Sequence, residues 1–360
     1  MKQSVVSRWG LALAAPALAL ATAFVVTSLV LLIAGDDVAG VWSQILSWPG
    51  DRQIVNIINA ATVYYLSGVA VAIGFRMNLF NIGVDGQYRI ASFAAAWVAG
   101  EAWLPGFLNV ILAVAAAMLV GAMWAGIAAV LRTTRGVSEV ISTIMLNSIA
   151  TFLVAFLLRK VAADSEGSNI ISTTPIPESS RIPGFAFGDV ETRIYGFVVV
   201  AIVVGFGYWL VINRTRFGFE LRATGLSETA AVASGVNVKR MIIATMLLSG
   251  AAAGLVGMPL LFGQDFAYGS TTQSGLGFAG IAIALLGRNH PVGIGIGAVL
   301  FAFLDEQSNP LQIQLDVSPD IVKITQGVIV LAVVVAYEVV RRYGVRLEQR
   351  QVAEALEVKA

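Results

Sequence analysis

Residues 78–87 read NLFNIGVDGQ, and they separate two long apolar runs. Within ten positions stand three amides (Asn78, Asn81, Gln87), one carboxylate (Asp85) and two glycines (Gly83, Gly86), while the flanks are mostly Ala, Val, Ile, Leu and Phe. A polar cluster of this kind inside a greasy chain marks either a break between helices or a functional site. The runs on either side, 54–75 and 84–100, have the length and lack of charge of membrane spans.

Composition extends that reading to the whole chain. Of 360 residues, 57% are hydrophobic and 12% charged, with a mean hydropathy of +0.81. Soluble domains are roughly 45–50% apolar and about 25% charged, so this chain lacks the polar residues for a water-facing surface. It reads as a polytopic membrane protein. There is no cysteine and one histidine, His290, which leaves no thiolate nucleophile and no Cys- or His-rich metal site. No G-x-x-x-x-G-K-[ST] nucleotide loop is present. No catalytic residue, bound cofactor or metal is expected of this chain, and no nucleic-acid partner.

Ten apolar segments follow from length and charge: 11–34, 54–75, 84–100, 107–131, 139–158, 194–212, 241–262, 275–287, 291–304 and 321–340. The first is too long for a secretory leader, whose apolar core is about 7–15 residues, and reads as a retained helix. The eighth and ninth are short and glycine-rich, as segments buried within protein can be. With the N-terminus inside, alternation places 17 of the 23 Lys and Arg on the inner side. Arg52, Arg159, Lys160, Arg181, Arg193 and Lys323 are left outside. That asymmetry predicts ten spans with both termini cytoplasmic. The expected fold class is an all-α membrane helix bundle forming one domain over 1–360. It has an external loop at 159–193, a cytoplasmic loop at 213–240 and a cytoplasmic tail at 341–360.

The cytoplasmic loop contains LSETAAVASG (226–235), predicted as a short helix. Ser227 suits its N-cap, Glu228 its first turn, and Gly235 a left-handed stop. A helix of about two turns does not hold in water by itself. The loop reads either as a basic surface touching lipid headgroups or as a face that a partner grips through its small residues.

Three stretches decide between these by resemblance. RATGLSETAAVASGVNVKRMIIATMLLSGAAAGLVG (222–257), NLFNIGVDGQ, and GVSEVISTIMLNSIA (136–150) together resemble the permeases of binding-protein-dependent ABC importers of the ribose and branched-chain amino-acid type. They are most similar to the larger permease subunit of the branch served by nucleoside-binding lipoproteins. Asp85 stands where that family more often has Glu. The resemblance implies a bacterial plasma-membrane permease subunit that does not itself hydrolyse ATP. Its implied partners are ATPase subunits carrying ATP and Mg, a second, related permease, and an external substrate-binding lipoprotein or periplasmic protein. The solute would be a nucleoside, with a sugar or branched-chain amino acid as the alternative. Arg222, Gly225, Leu226, Ser227, Glu228, Ala230, Ala231 and Gly235 would then couple to the ATPase.

Candidates for the path or for the helix break are Asn59, Asn81, Asp85, Gln87, Glu139, Thr143 and Asn147. Glu139, Thr143, Asn147 and Thr151 recur every four residues and share one helix face. A carboxylate in hydrocarbon costs about 2.5–3.5 kcal/mol on insertion scales, so Asp85 either faces a water-filled path, or caps a helix and pairs with Arg89 one turn on. Asn147 reads equally as interhelical glue or as path lining, and glue is favoured for Asn59. His290, before Pro291, reads as a turn residue. Rival readings are an ion-coupled secondary transporter, for which only Asp85, Arg89 and Glu139 offer intramembrane charge, a membrane-embedded enzyme, and a structural subunit.

Overall fold

The computed structural model describes residues 5–162, 171–269 and 273–333, together with 335, 336, 339 and 342. The described residues are helical, with two isolated backbone bridges, Ser172 to Gly269 and Phe185 to Ile194, and no strand among them. In chain order the helices are α1 (Val5–Ala34), α2 (Val38–Ile45), α3 (Asp51–Phe75), α4 (Val84–Glu101), α5 (Phe107–Arg135), α6 (Glu139–Val161) and α7 (Phe197–Arg214). There follow α8 (Arg216–Leu226), α9 (Glu228–Ala233), α10 (Val238–Ala253), the short turn α11 (Met258–Leu260), α12 (Leu276–Leu286), α13 (Pro291–Glu306), α14 (Ser308–Leu315) and a helix α15 over 320–333. Among the described residues, each predicted apolar segment overlaps a helix, the one at 241–262 being broken by a turn at 254–257. The tail expected at 341–360, apart from residue 342, and the part of the external loop at 163–170 lie outside the described residues.

Among the described residues, five helical stretches are long and apolar enough to cross a membrane: Asp51–Phe75, Phe107–Arg135, Glu139–Val161, Phe197–Arg214 and Val238–Asp265. Their burial sorts them. The most apolar window of α3 is 83% buried, whereas those of α5, α6 and α7 are 28% buried. Helix α3 is therefore a central post, and the other three show much of their apolar surface, as helices facing lipid do. By contrast α12, with 11 residues, is about 16 Å long and spans half of a hydrocarbon core roughly 30 Å thick.

The chain divides into two compact units, one of residues 49–302 and one of 1–48 with 303–360. In the larger, α5 and α10 make the most extensive helix contact. Small residues permit it: a Cβ on Gly250 would collide with the Gly121 carbonyl, and one on Gly254 with the Ala117 carbonyl. Gly250-xxx-Gly254 thus faces Ala117-xxx-Gly121 backbone to backbone, the close approach that small residues allow in membrane helices. Beyond α6 the chain folds down over the turn after α10. Thr173 N donates to Tyr268 O at 2.9 Å and Ile176 N to Phe266 O at 2.7 Å, and both Thr173 and Ile176 are fully buried.

In the smaller unit α1 and α15 meet through Thr27 and Thr325, whose hydroxyls are 3.2 Å apart. Trp42 on α2 donates to Ser28 Oγ at 2.9 Å and its ring lies 4.6 Å from that of Phe24. Gln44 donates to Gln307 at 3.3 Å.

Candidate functional site

The predicted break is real. Helix α3 ends at Phe75, α4 starts at Val84, and residues 76–83 turn between them with Asn78 at φ 59°. Eight residues of non-helical backbone leave several N–H and C=O groups without helical partners, and in an apolar setting each must find one. The amides and carboxylates of the site supply them.

Asn81 is the hub. Its amide and that of Gln87 bond reciprocally, both at 2.9 Å. Asn81 Oδ1 also accepts the Gly83 N–H at 3.1 Å, and Nδ2 donates to Ser249 Oγ on α10 at 2.8 Å. Ser249 in turn donates to Ala70 O on α3 at 2.7 Å. Asn147 on α6 serves the same turn from the other side. It donates to Ile82 O at 2.9 Å and accepts the Gly86 N–H at 2.8 Å. Glu139, two turns earlier on α6, accepts the Phe80 N–H at 3.3 Å.

Asp85 does both of the things a structural clasp requires. Its Oδ2 lies 3.1 Å from Arg89 Nε, and its Oδ1 accepts the Gly277 N–H at 3.3 Å. The helix it caps is α12, entered from a glycine with no side chain to offer. Asn59 sits apart from this cluster. It donates to Arg193 O at 2.9 Å and accepts the Tyr195 N–H at 2.8 Å, tying α3 to the approach of α7. Thr143 bonds back to Glu139 O at 2.7 Å. Asn59, Asn81, Asp85, Gln87, Glu139, Thr143 and Asn147 are all buried and all hydrogen-bonded inside the protein. Asn59 is joined to none of the other six, which converge on the α3–α4 turn and the start of α4.

The segment 213–240 differs from expectation in one respect. It holds two helices, not one, because Thr215 caps α8 by accepting the Gly218 N–H at 3.0 Å and Arg216 pairs with Glu220 at 2.7 Å. Leu226 therefore ends α8, and α9 is six residues long. Ser227 Oγ caps α9, accepting the Ala230 N–H at 3.2 Å, and Gly235 follows it at φ 82°. Leu226, Ser227, Glu228, Ala230 and Gly235 are exposed, whereas Ala231 is buried. Arg222 is half-buried. Gly225 lies on the backbone of the α3 end: a Cβ there would stand 2.8 Å from Arg76 O and 2.9 Å from Met77 Cα.

Two arginines that sequence reasoning passed over organise the surroundings. Arg76 donates to Asn289 O at 2.7 and 3.1 Å, joined by the Tyr208 hydroxyl at 2.7 Å. Arg132, at the end of α5, pairs with Glu139 and lies 3.4 Å from Glu228. The only hint of either in the sequence is an arginine at the end of an apolar run. His290 is an exposed turn residue, following Arg288 and Asn289 at φ 52° and 54°.

Comparison with known proteins places this arrangement. A family model described as the branched-chain amino acid transport system permease component matches residues 53–334. The chain is similar to the guanosine ABC transporter permease NupP of Bacillus subtilis, at 33% identity over 90% of this chain and 93% of the relative. It is similar to the glucose ABC transporter permease TsgB13 of Haloferax volcanii, at 29% identity over 82% of this chain and 80% of the relative. A second guanosine ABC transporter permease of the same Bacillus, NupQ, is 27% identical over 69% of this chain and 80% of the relative. The matched region runs from before Asn59 to beyond Gly277 and so encloses the whole site: the chain is a multi-pass membrane protein and belongs to the permease-component family of branched-chain amino acid-type transport systems.

Proposed function

We propose that this chain is the larger permease subunit of an ATP-driven importer that moves a nucleoside across a bacterial inner membrane. The observation that carries the energy-coupling part is the surface of α8 and α9. Leu226 and Val232 are 89% and 61% exposed on a segment whose charge places it in water. Large apolar side chains held on a rigid, capped turn call for a protein partner, and an ATPase subunit is the partner this family implies. Arg222, Gly225, Leu226, Ser227, Glu228, Ala230, Ala231 and Gly235 form the contact and its support. ATP and Mg bind the ATPase, and this chain holds no cofactor.

The remaining parts follow from the same reading. The ten helices matching the apolar segments all belong to one permease domain over 1–360, with both termini cytoplasmic as the Lys and Arg asymmetry favours. Loop 159–193 is external and receives solute from a binding lipoprotein or periplasmic protein. NupP and NupQ, two guanosine permeases of one organism that both resemble this chain, support a second, related permease as partner. NupP also supports a nucleoside as solute. The glucose permease TsgB13 favours a sugar as the second reading, with a branched-chain amino acid behind it. An ion-coupled carrier is disfavoured because Asp85 is spent on Arg89 and the Gly277 N–H, and Glu139 on Arg132 and the Phe80 N–H.

The test is uptake into membrane vesicles with internal ATP. Labelled guanosine should enter, and excess glucose should not compete. Entry driven by an ion gradient without ATP would refute the importer reading. Competition by glucose would shift the solute to a sugar.

A further inference from the structure

Segment 216–235 reaches the α3–α4 turn at two places. The first is the seat of Gly225 on Arg76 and Met77. The second is a line of charges that crosses three helices. Glu228, whose side chain is 57% exposed, lies 3.4 Å from Arg132 Nη2. The other guanidinium nitrogen, Nη1, pairs with Glu139 Oε2. Oε1 of that carboxylate accepts the Phe80 N–H at 3.3 Å. Glu139 is only 6% exposed, and the helix carrying it also holds Ile82 and Gly86 through Asn147.

Arg132 is the one member that touches both carboxylates. Its planar fork can serve two carboxylates at once, which a lysine ammonium does with poorer geometry. The two carboxylates are unequal: Glu228 is exposed to solvent, while Glu139 is buried and cannot stand alone without a large penalty. A partner that draws Glu228 aside therefore leaves Arg132 to Glu139 alone. The guanidinium moves, Glu139 must follow its countercharge, and the Phe80 N–H follows Glu139.

We propose that Arg132 is a positioning residue that transmits movement of α9 to the backbone of the helix break, in the order Glu228, Arg132, Glu139, Phe80. The inference rests on reading 226–235 as the ATPase contact, and it adds the route by which that contact reaches the buried amide cluster.

The chain contains no cysteine, so Phe80→Cys, at a position 45% exposed, carries a single nitroxide. The labelled full-length chain is purified in lipid with its co-expressed partners, and its spectrum is read with and without ATP. ATP should shift the spectrum. Adding Arg132→Met should shrink that shift about fivefold or more, the lower range of ordinary site-to-site coupling. The ATPase retained on the complex should stay as before, and so should the resting spectrum of Arg132→Met with Glu139→Gln, which leaves no charge buried alone; a merely structural role of Arg132 would disturb both. Should Arg132→Met fail to accumulate, Arg132→Met with Glu139→Gln removes both charges and should lose the shift equally. An undiminished shift in either variant overturns the relay and leaves the docking reading standing. A parent chain that retains no ATPase and does not respond to ATP overturns the docking reading, and the relay with it.

Discussion

The Asp85 carboxylate on α4 accepts the Gly277 N–H in the first turn of α12 at 3.3 Å while standing 3.1 Å from Arg89 Nε. One buried group thus neutralises a cation on its own helix and supplies the anion that the N-terminus of a half-length helix favours. Asp85→Ala should lower stability by about 3 kcal/mol, as removal of one partner of a buried pair does. Asp85→Asn should cost less, since it still accepts from Gly277. Thermal unfolding in detergent checks this, and an Asp85→Ala chain as stable as its parent would refute the clasp.

The reciprocal amide pair of Asn81 and Gln87 should behave as a unit. Asn81→Ala leaves the buried Gln87 donor and acceptor unmet, a loss of about 1–3 kcal/mol, and Gln87→Ala should cost less because Asn81 keeps Ser249 and the Gly83 N–H. Removing both together should cost less than the sum, with a coupling of about 1 kcal/mol. A double-mutant cycle on unfolding midpoints measures it; strict additivity would mean that the two amides do not depend on each other.

Two helical glycines should respond in opposite senses to alanine. Gly250→Ala drives a methyl into the Gly121 carbonyl and should cost about 1–3 kcal/mol through overpacking. Gly207 on α7 has open space around it, so Gly207→Ala should be neutral or should stabilise by up to about 1 kcal/mol. Equal stability of the two variants would place α10 further from α5 than described.

Adjacent alanines on α9 should separate coupling from folding. Ala230 is exposed and Ala231 is 3% exposed. Ala230→Trp should leave the protein as heat-resistant as the parent while cutting ATP-driven guanosine uptake about tenfold, the effect of roughly 1.4 kcal/mol on a coupling step. Ala231→Trp should also lower stability, because the ring has no room inside. Normal uptake by the Ala230→Trp chain would show that α9 is not the coupling surface.

The helices were legible because hydrocarbon imposes a length. A run such as 54–75 has to satisfy its own backbone, and a helix does so unaided; the structure places α3 at Asp51–Phe75. The cap of α9 was legible because Ser227 acts on a neighbour three residues away. Helix α8 was not, since RFGFELRATGL has little hydropathy and depends on its Thr215 cap and on packing against the end of α3. Asp85 shows the limit most plainly. Pairing with Arg89 is local and follows from helix spacing, whereas Gly277 lies 192 residues along the chain, and no periodicity points there.

The sequence by itself determined that this is a membrane helix bundle, where its apolar helices run, and that polar residues gather at the break after α3. Each of those follows from local chemistry: length, hydropathy, caps and breakers. Only the tertiary structure decided what the polar residues do. It brings α4, α6, α10 and α12 around one turn, so that Asn147, Glu139 and Asp85 meet backbone groups, and Asn81 the Ser249 hydroxyl, far away in sequence. It also sets Arg132 between an exposed and a buried carboxylate. Hydrogen bonds reach about 3 Å, so their partners are chosen by how helices pack, and packing is a property of the whole chain.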